Sequence, residues 1–359
     1  MTNLLSASLK SGLSAPICLT WELTYGCNLS CIHCLSDSGP KAKGELTRLE
    51  ALGLIDQFAA MGIFYVNIGG GEPMMRRDFF DIISHATKSR IGVKFSTNGT
   101  YLDLSAAKSL SSLDYIDIQI SLDGPDAKTN DAIRGLGSFD KAIAALENLS
   151  RAEFRTPKIS VVATRNNVEV LDDLMDLANY YQANLRITRL RPSGRGVASY
   201  QDLNPSPDQQ RQLYNWLSQH SEVLTGDSFF HLSPLGPALA GLNMCGAGRI
   251  VCLVDPIGDV YACPFTIDPQ FRAGNIRNKS FSAIWQKSQL FESLRQAPGP
   301  SSCQSCSAYA KCQGGCMAAK FHTGATINDP DPDCVLGKGK ETSTRTMVEF
   351  LGRKPSHQR

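Results

Sequence analysis

Between Cys18 and about residue 195 the chain alternates two kinds of hydrophobic pattern. Short β-rich runs, ICLTWEL, FYVNIGG, VKFSTNG, YIDIQISLDG, KISVVAT and LRITRLRPSG, read as strands. Amphipathic segments such as LEALGLIDQFAAM, DFFDIISHAT, FDKAIAALENL and VLDDLMDLANYY lie between them and read as helices. Six strand–helix units in succession predict an α/β fold with a parallel sheet and helices outside it. Crossovers of one hand roll such a sheet up, and six units give a partial (β/α)6 barrel of TIM-like type rather than the full eight.

The pattern then changes. After a lead-in at 1–15, the barrel region runs over 16–220 and is closed by a further helix at about 206–220. Residues 221–244 are rich in Gly, Pro and Ser and read as a bridge. A strand pair, RIVCLVD and DVYACPF, follows with a turn at 255–258. The rest of 245–336 offers one short helix around SFSAIWQKSQLFESL and little periodicity, so a region with so thin an apolar core needs cross-links. The polar, basic tail at 337–359 is expected to be disordered.

Composition narrows the class. A chain of 359 residues suggests two domains, and 42% apolar residues suffice for a large core. A net charge of +2 gives no electrostatic reason to expect nucleic acid. The N-terminus lacks a basic region followed by a continuous apolar segment, and no run of about 18 apolar residues occurs. A cytoplasmic place is therefore expected. Twelve cysteines there should not be disulfides. Three lie at 27–34 and eight between 245 and 334, while Cys18 stands apart as a small buried strand residue.

In such a barrel the chemistry sits at the C-terminal ends of the strands. GGGEP follows the second strand, STNG the third and SLDG the fourth, and Cys27, Cys31 and Cys34 follow the first, so all share one rim. A Cys-x3-Cys-x2-Cys loop can wrap three corners of a cubane, and three thiolates leave one iron open. An open metal position marks chemistry rather than support. A zinc knuckle completed by His33 is the alternative, and its place one residue before Cys34 makes shared ligation awkward.

CNLSCIHC on the first strand's exit, with GGEP on the second, resembles the radical S-adenosylmethionine (SAM) enzymes. The resemblance implies that the methionine amine and carboxylate chelate the open iron. The reduced cluster then cleaves a C–S bond and releases a 5′-deoxyadenosyl radical. On that picture Gly70 and Gly71 let backbone approach the amine, and Glu72 accepts its charge-assisted hydrogen bond. Ser96, Asn98, Ser121 and Asp123 suit the ribose and carboxylate. His33 lies against adenine, as does the backbone near Leu190, and Arg134 pairs with the cofactor carboxylate or forms a surface salt bridge.

The eight later cysteines resemble the SPASM domain, which holds two auxiliary [4Fe–4S] clusters. By that resemblance Cys245, Cys252, Cys263 and Cys316 bind the first, and Cys303, Cys306, Cys312 and Cys334 the second. Three clusters are thus expected, the auxiliary pair fully thiolate-ligated and serving to relay electrons. A pair of zinc sites is the alternative, since Cys-x2-Cys is common in zinc ribbons.

From about residue 10 to 336 the chain is similar to the mycofactocin radical maturases, including segments that are not cofactor motifs (LTGDSFFHL, LAGLNMCGAGR, GGCMAAKF). This similarity implies a short ribosomal precursor peptide ending in Val-Tyr. Oxidative decarboxylation of the tyrosine would be followed by C–C bond formation with the valine. About 15 residues precede the first strand and none resembles a leader-gripping winged domain, so a separate small peptide-recognition protein is expected. An electron donor such as flavodoxin or ferredoxin is expected too. Tyr25, Asp227, His231 and Arg249 are polar groups that either face substrate or make ordinary core hydrogen bonds. Rival readings are another peptide maturase (a thioether former, a sulfatase activator or a Glu–Tyr cross-linker) and an inactive metal-bearing scaffold, which the intact triad and GGEP disfavour.

Overall fold

The computed structural model describes residues 12–226, 229–241 and 243–339. Six parallel strands stand side by side in chain order: β1 (Cys18–Glu22), β2 (Tyr65–Gly69), β3 (Gly92–Thr97), β4 (Ile116–Ser121), β5 (Lys158–Ala163) and β6 (Asn184–Arg189). The helices Arg48–Ala60, Phe79–Lys88, Ser138–Arg151 and Leu171–Tyr180 connect them, as the amphipathic segments predict. The first begins on a capping box, Thr47 with Glu50, which satisfies two otherwise orphaned amide groups.

Alternation along each strand separates two environments. Leu19, Val66, Phe95, Ile120, Val161 and Ile187 point outward into one large core with the helices. The residues between them, Thr20, Asn67, Lys94, Gln119, Ser160 and Arg186, therefore point inward. A closed eight-stranded barrel fills its interior with branched apolar layers. The inner face here is polar, so it is a lumen for a polar ligand rather than a core.

Two features differ from the sequence expectation. The later strand pair is not a separate hairpin. β7 (Val251–Val254) pairs in parallel with β1, in the register Leu19↔Cys252, and β8 (Asp259–Tyr261) and β9 (Arg272–Asn275) continue antiparallel. This covers the backbone of β1, which would otherwise be an open edge. The region read as thin in core also shares the barrel's: Phe281, Trp285 and Phe291 join the main cluster, and Phe58 meets Phe281 edge-on at 5.0 Å. The segment read as one helix is two, Phe281–Lys287 and Gln289–Gln296, separated at Ser288, whose backbone is extended.

Short helices at Leu104–Ser111, Ala127–Arg134 and Gly196–Leu203 were not legible, because eight residues each are little more than two turns, too few for a helical period to stand out. Part of the expected disordered tail, from residue 340, lies outside the described residues. Among the described residues no helix is long and apolar enough to cross a membrane.

Candidate active site and auxiliary metal sites

Cys27, Cys31 and Cys34 lie on the loop leaving β1, each half-buried. The loop is shaped by its own backbone: Cys27 N–H donates to the Gly39 carbonyl at 2.8 Å and Cys34 N–H to the Cys31 carbonyl at 3.2 Å. Burial pushes the Cys27 thiol up, and Glu72, Cys31 and Cys34 add to it. Burial likewise raises Cys31, which Arg134 partly offsets. The thiols of Cys31 and Cys34 act on Cys27, a shared neighbourhood whose ionisation a cationic metal centre would favour, although among the described residues no group of His, Cys, Asp and Glu is gathered tightly enough for a single metal ion.

The glycine-rich rim after β2 is zipped to this loop. Gly71 N–H donates to the Thr24 carbonyl at 2.7 Å and Glu72 N–H to the Gly26 carbonyl at 2.8 Å. A β-carbon at Gly71 would run into the Gly26 carbonyl, and one at Gly70, whose φ is +111°, would lie 2.5 Å from the Thr24 carbonyl. These glycines therefore first allow two rim loops to touch. Glu72 also bonds within the rim. Its carboxylate accepts from Thr97 Oγ1 and Asn98 N–H at 2.8 Å and from Met74 N–H at 3.1 Å, so both oxygens are engaged in joining the ends of β2 and β3. Burial pushes its pKa up to about 7 despite these bonds. Asn98 turns its amide to Asn28 of the cysteine loop at 2.9 Å.

His33, Asp123 and Arg134, expected as separate cofactor contacts, are bonded to one another. His33 Nε2 and Arg134 Nε each lie 2.7 Å from Asp123 Oδ2, and Val162 N–H donates to the other oxygen at 2.8 Å. Burial alone raises the Asp123 carboxyl, but Arg134 and His33 overcome it and hold it below the ordinary carboxylate range. Asp123 is thus a buried anchor for the helix end carrying Arg134, whose carbonyl faces Cys31 Sγ at 3.7 Å. His33 Nε2 is engaged by Asp123, while among the described residues its buried Nδ1 has no hydrogen-bond partner. Ser96 and Ser121 face the lumen near the tops of β3 and β4, and Leu190 is buried with Tyr200 and Leu203 just after β6.

Two residues at this rim escaped the sequence reading. Arg195 donates to the carbonyls of Cys31 at 3.0 Å and Ser38 at 2.6 Å and pairs with Asp37 at 2.8 Å, so it grips the cysteine loop from the far side of the barrel. Gly194, at φ +54°, packs so closely on Cys34 and Leu35 that a β-carbon would strike their carbonyls. The only signal was the glycine-rich RPSGRG after β6.

In the C-terminal region Cys245, Cys263 and Cys316 are neighbours. Burial raises the Cys245 and Cys263 thiols first, and Cys316 is the largest charge acting on each. Cys252 lies within β7 opposite Leu19, wholly buried in the core that Cys245 and Cys263 pack against; burial first, then Cys18 and Cys263, raise its thiol. Cys303, Cys312 and Cys334 form a second group: after burial, Cys334 raises the Cys303 thiol, and Cys334 and Cys303 raise that of Cys312, while Cys306 lies one turn beyond Cys303.

The polar groups weighed as substrate contacts are mostly engaged. The Tyr25 hydroxyl donates to Asp255 at 2.9 Å. Arg249 donates to the Cys245 and Ala297 carbonyls at 3.4 and 3.2 Å and lines a cavity of about 330 Å3 with Cys245 and Lys320. His231 is buried beside Arg189 and Asp331, and burial, followed by Arg189, pushes it well below the ordinary imidazole value. Asp227 lies outside the described residues.

A partial parallel barrel with an open three-cysteine rim, extended at β1 by a cysteine-rich meander, defines an iron–sulfur enzyme of the radical type with an auxiliary domain. The Radical SAM superfamily model matches residues 21–178, and that of the SPASM iron–sulfur cluster-binding domain matches 245–307. The mycofactocin maturase MftC of Mycobacterium tuberculosis (strain CDC 1551 / Oshkosh) is 56% identical over 340 residues, 94% of this chain and 87% of that one. That of Mycolicibacterium smegmatis is 57% identical over 344 residues, 95% and 88% of the two chains. Streptococcus suis SuiB, solved with its precursor peptide SuiA, superposes with a TM-score of 0.76 at 20% identity over 93% of this chain and 79% of that one, a likeness of fold. The chain belongs to the mycofactocin maturase family of radical SAM enzymes.

Proposed function

We propose that this enzyme matures a short ribosomally made precursor peptide ending in Val-Tyr, and that it does so in two turnovers. In the first, the C-terminal tyrosine loses a Cβ hydrogen atom, one electron and CO2, leaving an alkene conjugated to the phenol. In the second, a carbon of the preceding valine adds to that alkene, closing a lactam without net oxidation. The observation that carries this reading is the 56% identity to a mycofactocin maturase along nearly the whole chain. The polar lumen beneath a three-cysteine rim supports it.

Cys27, Cys31 and Cys34 would hold one [4Fe–4S] cluster, and when bound the cluster with SAM supplies a 5′-deoxyadenosyl radical. The chain's own part is to position and to exclude water. Gly70 and Gly71 close the rim over the lumen, Ser96 and Ser121 offer hydroxyls to the cofactor, and the His33–Asp123–Arg134 anchor and Arg195 fix the cysteine loop. Cys245, Cys252, Cys263 and Cys316 would hold a second cluster and Cys303, Cys306, Cys312 and Cys334 a third, each by four thiolates. The auxiliary centres give the electron of the first turnover a place to go. A separate small protein delivering the precursor, and a flavodoxin- or ferredoxin-like reductant, complete the system.

Anaerobic reconstitution with iron and sulfide counting, followed by mass spectrometry of a peptide ending in Val-Tyr, tests this. About 12 iron per chain is expected, with a product lacking CO2 and two hydrogens that converts to an isomer of equal mass. Zinc in place of iron, or an unmodified tyrosine, overturns it.

A further inference from the structure

Lys94 and Arg186 are cations on the inner face of the barrel, on β3 and β6. Their strand neighbours Val93, Phe95, Leu185 and Ile187 lie in the outer core, which fixes both side chains toward the lumen. The Arg186 guanidinium makes one long hydrogen bond to a neutral group, Ser160 Oγ at 3.3 Å. Among the described residues no hydrogen bond or ion pair holds the Lys94 ammonium, although it is largely withdrawn from water. The acid nearest to both, Asp117, is already engaged by Lys158 and by the Tyr65 hydroxyl. Buried charges are ordinarily paired, because removing an unpaired ion from water is costly. With Lys158 and Asp117 paired and the Cys18 thiol nearby, Lys94 and Arg186 leave this stretch of lumen with an excess of positive charge that an anion would balance.

Their depth identifies it. Lys94 is two residues below Ser96 on the same face of β3, roughly 7 Å under the rim. A ligand whose reacting carbon sits at the rim and whose carboxylate points down the lumen would meet both cations. We propose that Lys94 and Arg186 form the site that binds the C-terminal carboxylate of the precursor peptide. This rests on the peptide-maturase reading above. A guanidinium takes a carboxylate by two parallel bonds and the ammonium supplies a third, which fixes the terminal residue's orientation before CO2 leaves. Burial, and then Arg186, brings the Lys94 pKa down to about 8.

The test uses the reconstituted enzyme with SAM and no reductant. Binding of two eight-residue peptides ending in Val-Tyr, one a free acid and one a C-terminal carboxamide, is measured by calorimetry. The wild type is expected to prefer the acid by about tenfold or more. Lys94→Met and Arg186→Gln are expected to bring the two peptides within about threefold, while carboxamide binding and SAM binding stay unchanged. Lys94→Arg is expected to keep the preference, which separates lost charge from lost packing. Equal binding of acid and amide by the wild type overturns the site, as does a preference retained in both neutral variants. If SAM binding falls instead, the carboxylate held there is the cofactor's, and the proposal fails in that way. Binding of neither peptide, even with the delivery protein added, overturns the maturase reading and this site with it.

Discussion

Arg189 on the last barrel strand and Asp331 in the C-terminal loop are joined by two hydrogen bonds, at 2.6 and 2.9 Å, across 142 residues of sequence. The same guanidinium reaches Asp333 at 2.7 Å, and Asp331 also accepts from Cys316 N–H at 2.7 Å. One buried side chain thus ties the barrel to the backbone of Cys316 in the first auxiliary group and to the residue preceding Cys334 in the second.

Removing one partner of this pair leaves an uncompensated buried charge. Arg189→Leu is expected to destabilise the protein by about 3–5 kcal/mol, read by chemical denaturation, and to lower auxiliary iron content. Arg189, followed by His231, overcomes burial and holds the Asp331 carboxyl below its ordinary value. Its contribution is therefore present above about pH 4 and lost only as pH falls through the lower folded value.

Glu72 has the opposite sign. Its folded pKa is raised to about 7, above the unfolded carboxylate value. Between those two values the folded state holds a proton that the unfolded state has released, so this group's contribution falls as pH rises through that window and is flat above it. Thermal unfolding of wild type and Glu72→Gln from pH 4 to 8 should show the falling slope in the wild type alone.

Gly71→Ala places a methyl against the Gly26 carbonyl and forces the rim away from the cysteine loop. A destabilisation of about 1–3 kcal/mol is expected from overpacking. SAM affinity should fall at least about tenfold, because the two loops that frame the cofactor separate. Equilibrium dialysis against SAM measures it; unaltered binding would show that the rim tolerates the shift.

The four-cysteine set of the first auxiliary group predicts that Cys263→Ala and Cys252→Ala each lose about four iron per chain after reconstitution. A full iron count in Cys252→Ala would instead make that thiol a core side chain, at the cost of a small core truncation, about 1 kcal/mol.

The sequence by itself determined the six-strand barrel, because alternating strand and helix patterns are set by local periodicity. It also placed the cysteine loop, GGGEP, STNG and SLDG on one rim, since each follows a strand and parallel strands end on the same side. The grouping of eight later cysteines beyond the barrel was legible in the same way. Tertiary structure decided which groups touch. The bonding of His33 to Asp123 spans 90 residues and that of Arg189 to Asp331 spans 142. The pairing of β7 with β1 moved Cys252 into an apolar face. Such contacts leave no period in the chain. They depend on how far a folded sheet brings distant side chains together.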